Sequence, residues 1–483
     1  MCETIISSFR ANAEEARRLK EIEEHEYRNK FQRDRDRILY SKEFRRLSGK
    51  TQIFVTGSDD NMRTRLTHTL EVAQIAETIS DKLGLDSILT RAIAYGHDIG
   101  HTPFGHVGER TLNYIMNGCY PYYHYNDQLT DEEKGFKHNL QGVRVACSLE
   151  ESLDQNNHLV KGLNLTTYTL WGIQNHSSLV YKECEYCKRH NECRYKNNGK
   201  KCDGKLSVGY YKNLPYKADD REDWTFEGII VAYADEIAQR HHDIEDGIYA
   251  GIINIDHLCD FIIQNHKLEG KLSEAIKNYK ENKDLQDNNK QEVGIQILSR
   301  AIINYYVTEY SEGLEKKVGD IVNKFQINKT GLAGRRAIYD AIRTDKPITK
   351  LFGFEDDMKE ADSEFHNYLQ DHILNSYVAQ CMDGKASYII KQLVKAYLTN
   401  PQQLPDKTII SIVDDWYQSY GVEENNEPYM TMASKSRERL KSIMNKDDLD
   451  IRAILLRRIC DFIAGMTDQF AMNCFERLYG AFL

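Results

Sequence analysis

The sequence predicts a mainly α-helical protein, and three observations carry that expectation. Apolar residues recur at helical spacing: Leu66, Leu70, Ala73, Ile75, Ala76 and Ile79 share one side of a helix expected over about 64–83. Only 7 prolines occur in 483 residues, which disfavours long structureless linkers. No alternating strand pattern, Gly-rich phosphate loop or internal repeat is present.

The elements follow in chain order. Residues 11–30 mix acidic and basic side chains on most faces and read as a solvated helical arm, bounded at 1–32. The chain then turns basic and next apolar, through Phe44-Arg45-Arg46-Leu47 and Lys50-Thr51-Gln52. Gly57-Ser58-Asp59-Asp60-Asn61 is a loop. Gly84 stands where a helix C-cap belongs. Helices are expected over about 87–97, 104–116, 136–149, 170–179 and 224–239, with Gly100, Pro103 and Gly105 forcing turns between the first two. From about residue 256 amphipathic helices alternate with polar connections such as Lys280–Gln291 and Gly421–Pro428. The regions are therefore 1–32, 33–255 and 256–483.

Composition narrows the class. Hydrophobic content of 41% with charged content of 29% fits a soluble globular chain. A net charge of −10 gives no reason to expect nonspecific nucleic-acid binding; single-stranded nucleic acid stays open, with no motif in its support. No run approaches the roughly 18 apolar residues of a membrane span, and residues 1–30 lack a signal-peptide core. A cytoplasmic location without a membrane partner is expected.

The chemistry concentrates in His68, in the His97-Asp98 pair of Gly96-His97-Asp98-Ile99-Gly100-His101, and in Asp235 of Tyr233-Ala234-Asp235-Glu236. Imidazole nitrogens with carboxylate oxygens suit a divalent ion of the Mn, Fe, Zn or Mg type. Asp235 lies among Val231, Ala232, Ala234, Ile237 and Ala238, where an acid needs a cationic partner. That partner is a metal or an arginine; for His68 alone, a hydrogen-bonded core histidine is the plain alternative. His101, His106 and Glu109 form a proton-transfer set. His106 and Glu109 are three apart on one helix face, so the carboxylate can orient the imidazole. His176 reads as a satisfied core histidine or a supporting group behind the site.

A second signal lies in the insertion at about 181–213. Cys184, Cys187, Cys193 and Cys202 place four thiols among many Lys and Arg residues. A structural zinc, an iron–sulfur cluster and no metal at all remain open; disulfides do not suit a cytoplasmic chain. The basic surround reads as a solvated surface ahead of a phosphate-facing patch.

At this point the ordered series of motifs resembles the bacterial deoxyguanosine triphosphate triphosphohydrolases of the HD superfamily. The series includes Phe44-Arg45-Arg46-Leu47, Arg63-Thr64-Arg65-Leu66-Thr67-His68, Gly96-His97-Asp98 through Gly105-His106, and Tyr233-Ala234-Asp235-Glu236. It ends with His242-Asp243-Ile244-Glu245-Asp246 and Asp461 to Asp468. The resemblance spans most of the chain and implies an HD-domain helical core. It implies cleavage of a deoxynucleoside triphosphate at the α-phosphorus to deoxynucleoside and tripolyphosphate. His68, His97, Asp98 and Asp235 would hold a divalent Mn, Mg or Fe. His106, oriented by Glu109, would move the proton. Arg65, His101 and His138 would bind phosphate oxygens, and Gln52 and Asp243 the sugar 3′-hydroxyl. A homo-oligomer is implied, an allosteric nucleotide is left open, and Arg343-Thr344-Asp345-Lys346 would reach a neighbouring subunit's nucleotide.

Two positions depart from the family pattern. A tyrosine commonly follows the metal aspartate by four residues, where Gln239 stands here, and His241 replaces a usual asparagine. Sugar and base selection therefore do not transfer with the motifs. The alternative readings are an HD-superfamily phosphohydrolase for a cyclic or alarmone nucleotide, and a nonenzymatic nucleotide sensor. Intact His106 and Glu109 argue against the sensor, which has no use for a proton shuttle.

Overall fold

The structure is a computed structural model that describes residues 4–52, 63–120, 129–153, 158–181, 184, 204–282, 290–342, 346–373, 375–420, 429–444 and 449–480. Cys187, Cys193, Cys202, the Gly57–Asn61 loop and Arg343-Thr344-Asp345 lie outside those residues.

The described residues are mainly α-helical, as the apolar periodicity requires. Eight helices build the first half: α1 (Lys30–Leu39), α2 (Lys42–Arg46), α3 (Arg65–Leu83), α4 (Ser87–Gly96), α5 (Gly105–Met116), α6 (His138–Arg144), α7 (Thr167–Asn175) and α8 (Phe226–Tyr249). Local chemistry sets the ends of α3. The Thr64 hydroxyl accepts from Thr67 N and the Thr67 hydroxyl accepts from Thr64 N, a reciprocal cap. Gly84 closes the helix at φ 72°, where a Cβ would be strained. Helix α6 runs on into a π-helical turn at Val145–Leu149, and a short ribbon pairs Glu151–Leu153 with Leu159–Lys161.

The expected charged helix over 11–30 does not form. A 3₁₀ turn at Ile6–Phe9 is followed by irregular chain as far as Asn29. Its first half is not solvated, since Ala11, Ala13, Ala16 and Arg18 are buried, whereas residues 19–30 are exposed or half-exposed. Its polar groups are spent on tertiary partners instead of a helical ladder. Ala11 N donates to Glu227 Oε1 at 3.0 Å, Thr167 N donates to Arg17 O at 2.8 Å, and Arg18 pairs with Asp34 at 2.7 Å. Charge on most faces signalled absence of an amphipathic stripe, and here that meant no helix.

Two apolar cores organise the molecule. In the first, α3, α4 and α8 pack on one another, with α1 and α7 against α4. Ile79, Ile93, Trp171 and Ile230 are fully buried there, each contributing ~1.5–3 kcal/mol by burial. Helices α9 (Ile255–Gln264), α10 (His266–Asn282), α11 (Lys290–Phe325), α12 (Gly331–Ile342), α13 (Ile348–Leu351) and α14 (Asp356–Ile373) extend the same core. The second core joins α5 to α15 (Tyr377–Thr399), α16 (Asp406–Ser419), α17 (Tyr429–Met444), α18 (Leu449–Ala464) and α19 (Asp468–Tyr479). Residues 97–104, which carry His97, Asp98 and His101, run between the two cores. No helix among the described residues is long and apolar enough to cross a membrane.

Candidate active site

The site is assembled from α3, the end of α4, the turn after it, α5, α6 and α8. His68 lies on the first turn of α3, His97 caps α4, and Asp235 faces them from α8. The turn 97–104 must press against α6. A Cβ on Gly100 would collide with the His138 carbonyl and the Gly142 amide, so only glycine fits. Phe104 sits in left-handed conformation at φ 60°, a costly state for a residue with a Cβ. Its N–H is held by Asp468 Oδ1 at 2.8 Å.

His68 Nε2 and Asp235 Oδ1 are 2.9 Å apart. His97 donates through Nδ1 to Ala94 O at 2.7 Å, so its Nε2 carries a free lone pair. That Nε2 is buried without a hydrogen-bond partner, 3.5 Å from Asp98 Oδ1 and 3.8 Å from Asp235 Oδ1. Three acceptors thus converge on one point, which a cation or an added proton must neutralise. Ligand atoms of His68, His97 and Asp98 lie within 4.8 Å of one another. Arg65 Nη1 takes the other Asp98 oxygen at 2.6 Å and leaves Oδ1 facing the cluster. The donor set fits a divalent ion with mixed nitrogen and oxygen preference.

Charge tunes the same groups. Burial alone would raise the Asp98 pKa, but His101, His97 and Arg65 outweigh it and hold the carboxyl well below its usual range. Burial likewise opposes ionisation of Asp235, and the hydrogen bond from His68 together with the neighbouring His97 overturns it. His101 goes the other way: burial, then Arg65 and His138, push its pKa well below 6.5, so it is neutral. Its Nε2 stands 3.3 Å from Asp98 Oδ1 and its Nδ1 has no partner. Arg65 Nε and Nη2 are also buried and unpartnered, beside Gly105 and the Gln52 backbone. Gln52 Oε1 is buried without a partner too.

Glu109 forms a second cluster. His138 Nδ1 donates to Glu109 Oε2 at 2.8 Å, whereas the expected partner His106 is 3.6 Å from the same oxygen and mostly exposed. The Tyr181 hydroxyl donates to Glu109 Oε1, and Lys137 Nζ lies 3.8 Å away. Burial opposes the charge on Glu109, but His138 and His106 hold its pKa well below 4.5. His176 donates from Nδ1 to Ile173 O at 2.8 Å, which leaves its Nε2 as an acceptor 3.1 Å from His138 Nε2. His138 is thus wedged between the Glu109 carboxylate and the His176 ring. Its ring stacks on His101 with centroids 4.0 Å apart.

Other expected residues fall nearby with less definition. Asp243 is buried on α8, with its pKa pushed up to about 7 by burial and the Asp246 charge against the pull of Arg240. Gln239 lies one helical turn beyond Asp235. Cys184 is a free, half-buried cysteine whose N–H donates to Gly204 O at 2.8 Å. Four contributors escaped sequence reasoning: Asp468, Tyr181, His242 and Glu71. His242 and Glu71 had a readable signal, since Glu71 is three residues after His68 and His242 seven after Asp235. Asp468 had none.

A helical core in which a buried His and His-Asp pair and a half-buried Asp face one point defines a phosphohydrolase of the HD class, a fold that implies a divalent metal. The HD domain family matches residues 65–239, and the phosphohydrolase-associated domain matches residues 352–415 and 429–477. The chain is 31% identical over 475 residues to a deoxyguanosinetriphosphate triphosphohydrolase-like protein of Geobacter metallireducens, covering 98% of this chain and 95% of that one. A protein of the same description from Leptospira interrogans is 30% identical over 476 residues, covering 99% and 96%. One from Caulobacter vibrioides is 29% identical over 466 residues, covering 96% and 93%. The chain belongs to this deoxyguanosinetriphosphate triphosphohydrolase-like family, and it is a hydrolase.

Proposed function

We propose that the protein hydrolyses deoxynucleoside triphosphates at the α-phosphorus, giving deoxynucleoside and tripolyphosphate. One observation carries the reading: the unpartnered His97 Nε2 lies 3.5 Å from Asp98 Oδ1 and 3.8 Å from Asp235 Oδ1, while the other Asp98 oxygen holds Arg65, whose remaining guanidinium nitrogens are unpartnered. An anionic phosphate beside a divalent ion is the ligand that satisfies both halves of that arrangement. The names of the relatives supply the nucleotide, and dGTP is the first candidate.

His68, His97, Asp98 and Asp235 would hold the ion. When bound, it supplies Lewis-acid polarisation of a phosphoryl oxygen and a more acidic attacking water. Arg65 would pair with phosphate oxygens through its free nitrogens, joined by His101 Nδ1. Water adds to the α-phosphorus, the bond to the sugar O5′ breaks, and O5′ takes a proton. His106, mostly exposed and 3.6 Å from Glu109, would give that proton. Gln52 and Asp243 would contact the sugar 3′-hydroxyl.

A second assignment of the proton donor has its own support. Glu109 bonds His138 more closely than His106, and His138 lies beside the same cluster through its ring stack on His101. It is buried against His176, so a role in binding phosphate would require it to give up a bond. Comparing His106→Ala with His138→Ala separates the two: the donor's removal lowers kcat by roughly 10²–10⁴-fold.

The function test incubates the protein with each of the four deoxynucleoside triphosphates and Mn, Mg or Fe. Chromatography then identifies both products. Tripolyphosphate with free deoxynucleoside supports the reading. Pyrophosphate or a nucleoside monophosphate would refute it and favour another phosphohydrolase of this class.

A further inference from the structure

Behind His68, away from the converging carboxylates, a chain of polar side chains runs outward. His68 Nδ1 faces His242 Nδ1 at 3.1 Å. His242 Nε2 hydrogen-bonds Glu71 Oε2. Arg63 Nε is 3.4 Å from Glu71 Oε1, and Arg63 also pairs with Glu245 and, at 3.0 Å, with Asp246. His242 is fully buried and meets the site through His68. The reaction outlined above gives these residues no work.

Proton accounting gives them one. Two facing Nδ1 atoms can share a hydrogen bond only if one of them carries the proton. A carboxylate accepts only, so His242 must keep its proton on Nε2 to meet Glu71. If His68 is to present a lone pair at Nε2, its own proton must sit on Nδ1 and point at a bare His242 Nδ1. The direction Glu71 ← His242 ← His68 satisfies every bond of this outward chain and leaves His68 Nε2 bare beside Asp235 Oδ1, 2.9 Å away, where a cation would stand in for the proton. Ligating histidines are commonly fixed in this way by a carboxylate, and here a second imidazole is interposed.

We propose that His242 and Glu71, steadied by Arg63, are positioning residues that lock His68 in its ion-binding tautomer. The proposal rests on the reading of His68, His97, Asp98 and Asp235 as an ion site. Arg63 matters by holding the Glu71 carboxylate on α3 against Glu245 and Asp246 on α8, so that the acceptor at the chain's outer end stays in place.

Calorimetric titration of the metal-free protein with Mn tests it without any turnover. Wild type should bind one Mn at this site. His242→Phe, which offers no acceptor to His68 Nδ1, should bind Mn about 10–100-fold more weakly. His242→Asn offers an amide oxygen in its place and should recover part of that affinity. Glu71→Gln, at a half-exposed position, should weaken binding by roughly tenfold and decides the matter if the His242 variants do not fold. Equal affinity in wild type and His242→Phe would overturn the proposal, as would His242→Asn no better than His242→Phe, or an unchanged Glu71→Gln. A wild type that binds no Mn fails differently: it overturns the ion site itself.

Discussion

Asp468 Oδ1 accepts the backbone N–H of Phe104 at 2.8 Å, joining residues 364 positions apart. The other oxygen takes Thr51 N at 3.0 Å and the Thr51 hydroxyl. One buried carboxylate thus ties the C-terminal helix α19 to both loops that frame the site. Lys50 reinforces it, donating to His101 O and, at 3.0 Å, to Ala464 O.

Asp468→Ala should therefore cost both stability and rate. It strands the buried Phe104 N–H, at ~1–3 kcal/mol, and takes two hydrogen bonds away from Thr51. It also frees Phe104 from a conformation it would not adopt alone. Denaturant unfolding should show a loss of roughly 3–5 kcal/mol, and kcat should fall more than KM changes. A variant with wild-type stability would show that α19 is not the clamp.

His97→Ala should abolish stoichiometric metal binding. His97 Nε2 is buried at the convergence point without a hydrogen-bond partner, which leaves it open to an ion. The loss should exceed the roughly 10–100-fold typical of an outer partner. Metal content after dialysis against Mn is the measurement, with circular dichroism to show an intact fold. Full metal occupancy in the variant would remove His97 from the ligand set.

The metal-free protein should lose stability as pH falls below about 6.5. His176 and His242 are pushed down to about 3, chiefly by burial, and His101 is lowered in the same way. A base whose folded pKa lies below its unfolded value binds its proton first in the unfolded chain. Stability is therefore whole above 6.5 and drains as pH falls, by ~1.4 kcal/mol per pH unit for each histidine. Below about 4 the depressed carboxyls Asp98, Glu109 and Asp461 add to the loss. Calorimetric Tm against pH in chelator should show the first slope, and His176→Asn should flatten it by one histidine's share. A Tm constant from pH 7 to 5 would contradict neutral burial.

Tyr181→Phe should lower kcat without unfolding the protein. The hydroxyl donates to Glu109 Oε1, and the same carboxylate orients His138 and His106. A hydrogen bond to a charged group is worth ~1.5–3 kcal/mol, so a loss of roughly 10–100-fold is expected if the carboxylate turns. Unchanged kcat would mean that Lys137 and His138 hold Glu109 without it.

What the chain disclosed in advance follows from the range of each interaction. His68, His97, Asp98 and Asp235 were legible because each stands in a motif or at an acid on an apolar helix. The helices from α3 to α8 were legible because their apolar faces recur at helical spacing. The 11–30 segment was misread because its partners, Glu227, Thr167 and Asp34, are distant in sequence, and burial of Ala11 and Ala16 leaves no local periodicity. Asp468 was quoted within a motif yet given no work, since Phe104 and Thr51 lie hundreds of residues away. The bond between His138 and Glu109 spans 29 residues and two helices, so only the fold could rank it above the local His106 pair.

Gln239→Tyr should sharpen the choice of sugar. Gln239 is four residues after Asp235 on α8, so both side chains point to one face of the helix. An aromatic ring there would pack on the sugar and leave less room at the 2′-carbon, where a ribonucleotide carries its hydroxyl. An amide leaves that volume open and can donate a hydrogen bond to the same hydroxyl. The wild-type protein should therefore discriminate weakly between deoxy- and ribonucleoside triphosphates. In Gln239→Tyr the ratio of kcat/KM values, deoxy over ribo, should rise by roughly tenfold or more, with the change carried by the ribonucleotide. Matched assays with dGTP and GTP measure it. A ratio already large in the wild type and unmoved by the substitution would place sugar selection elsewhere, with Gln52 and Asp243 the next positions to vary.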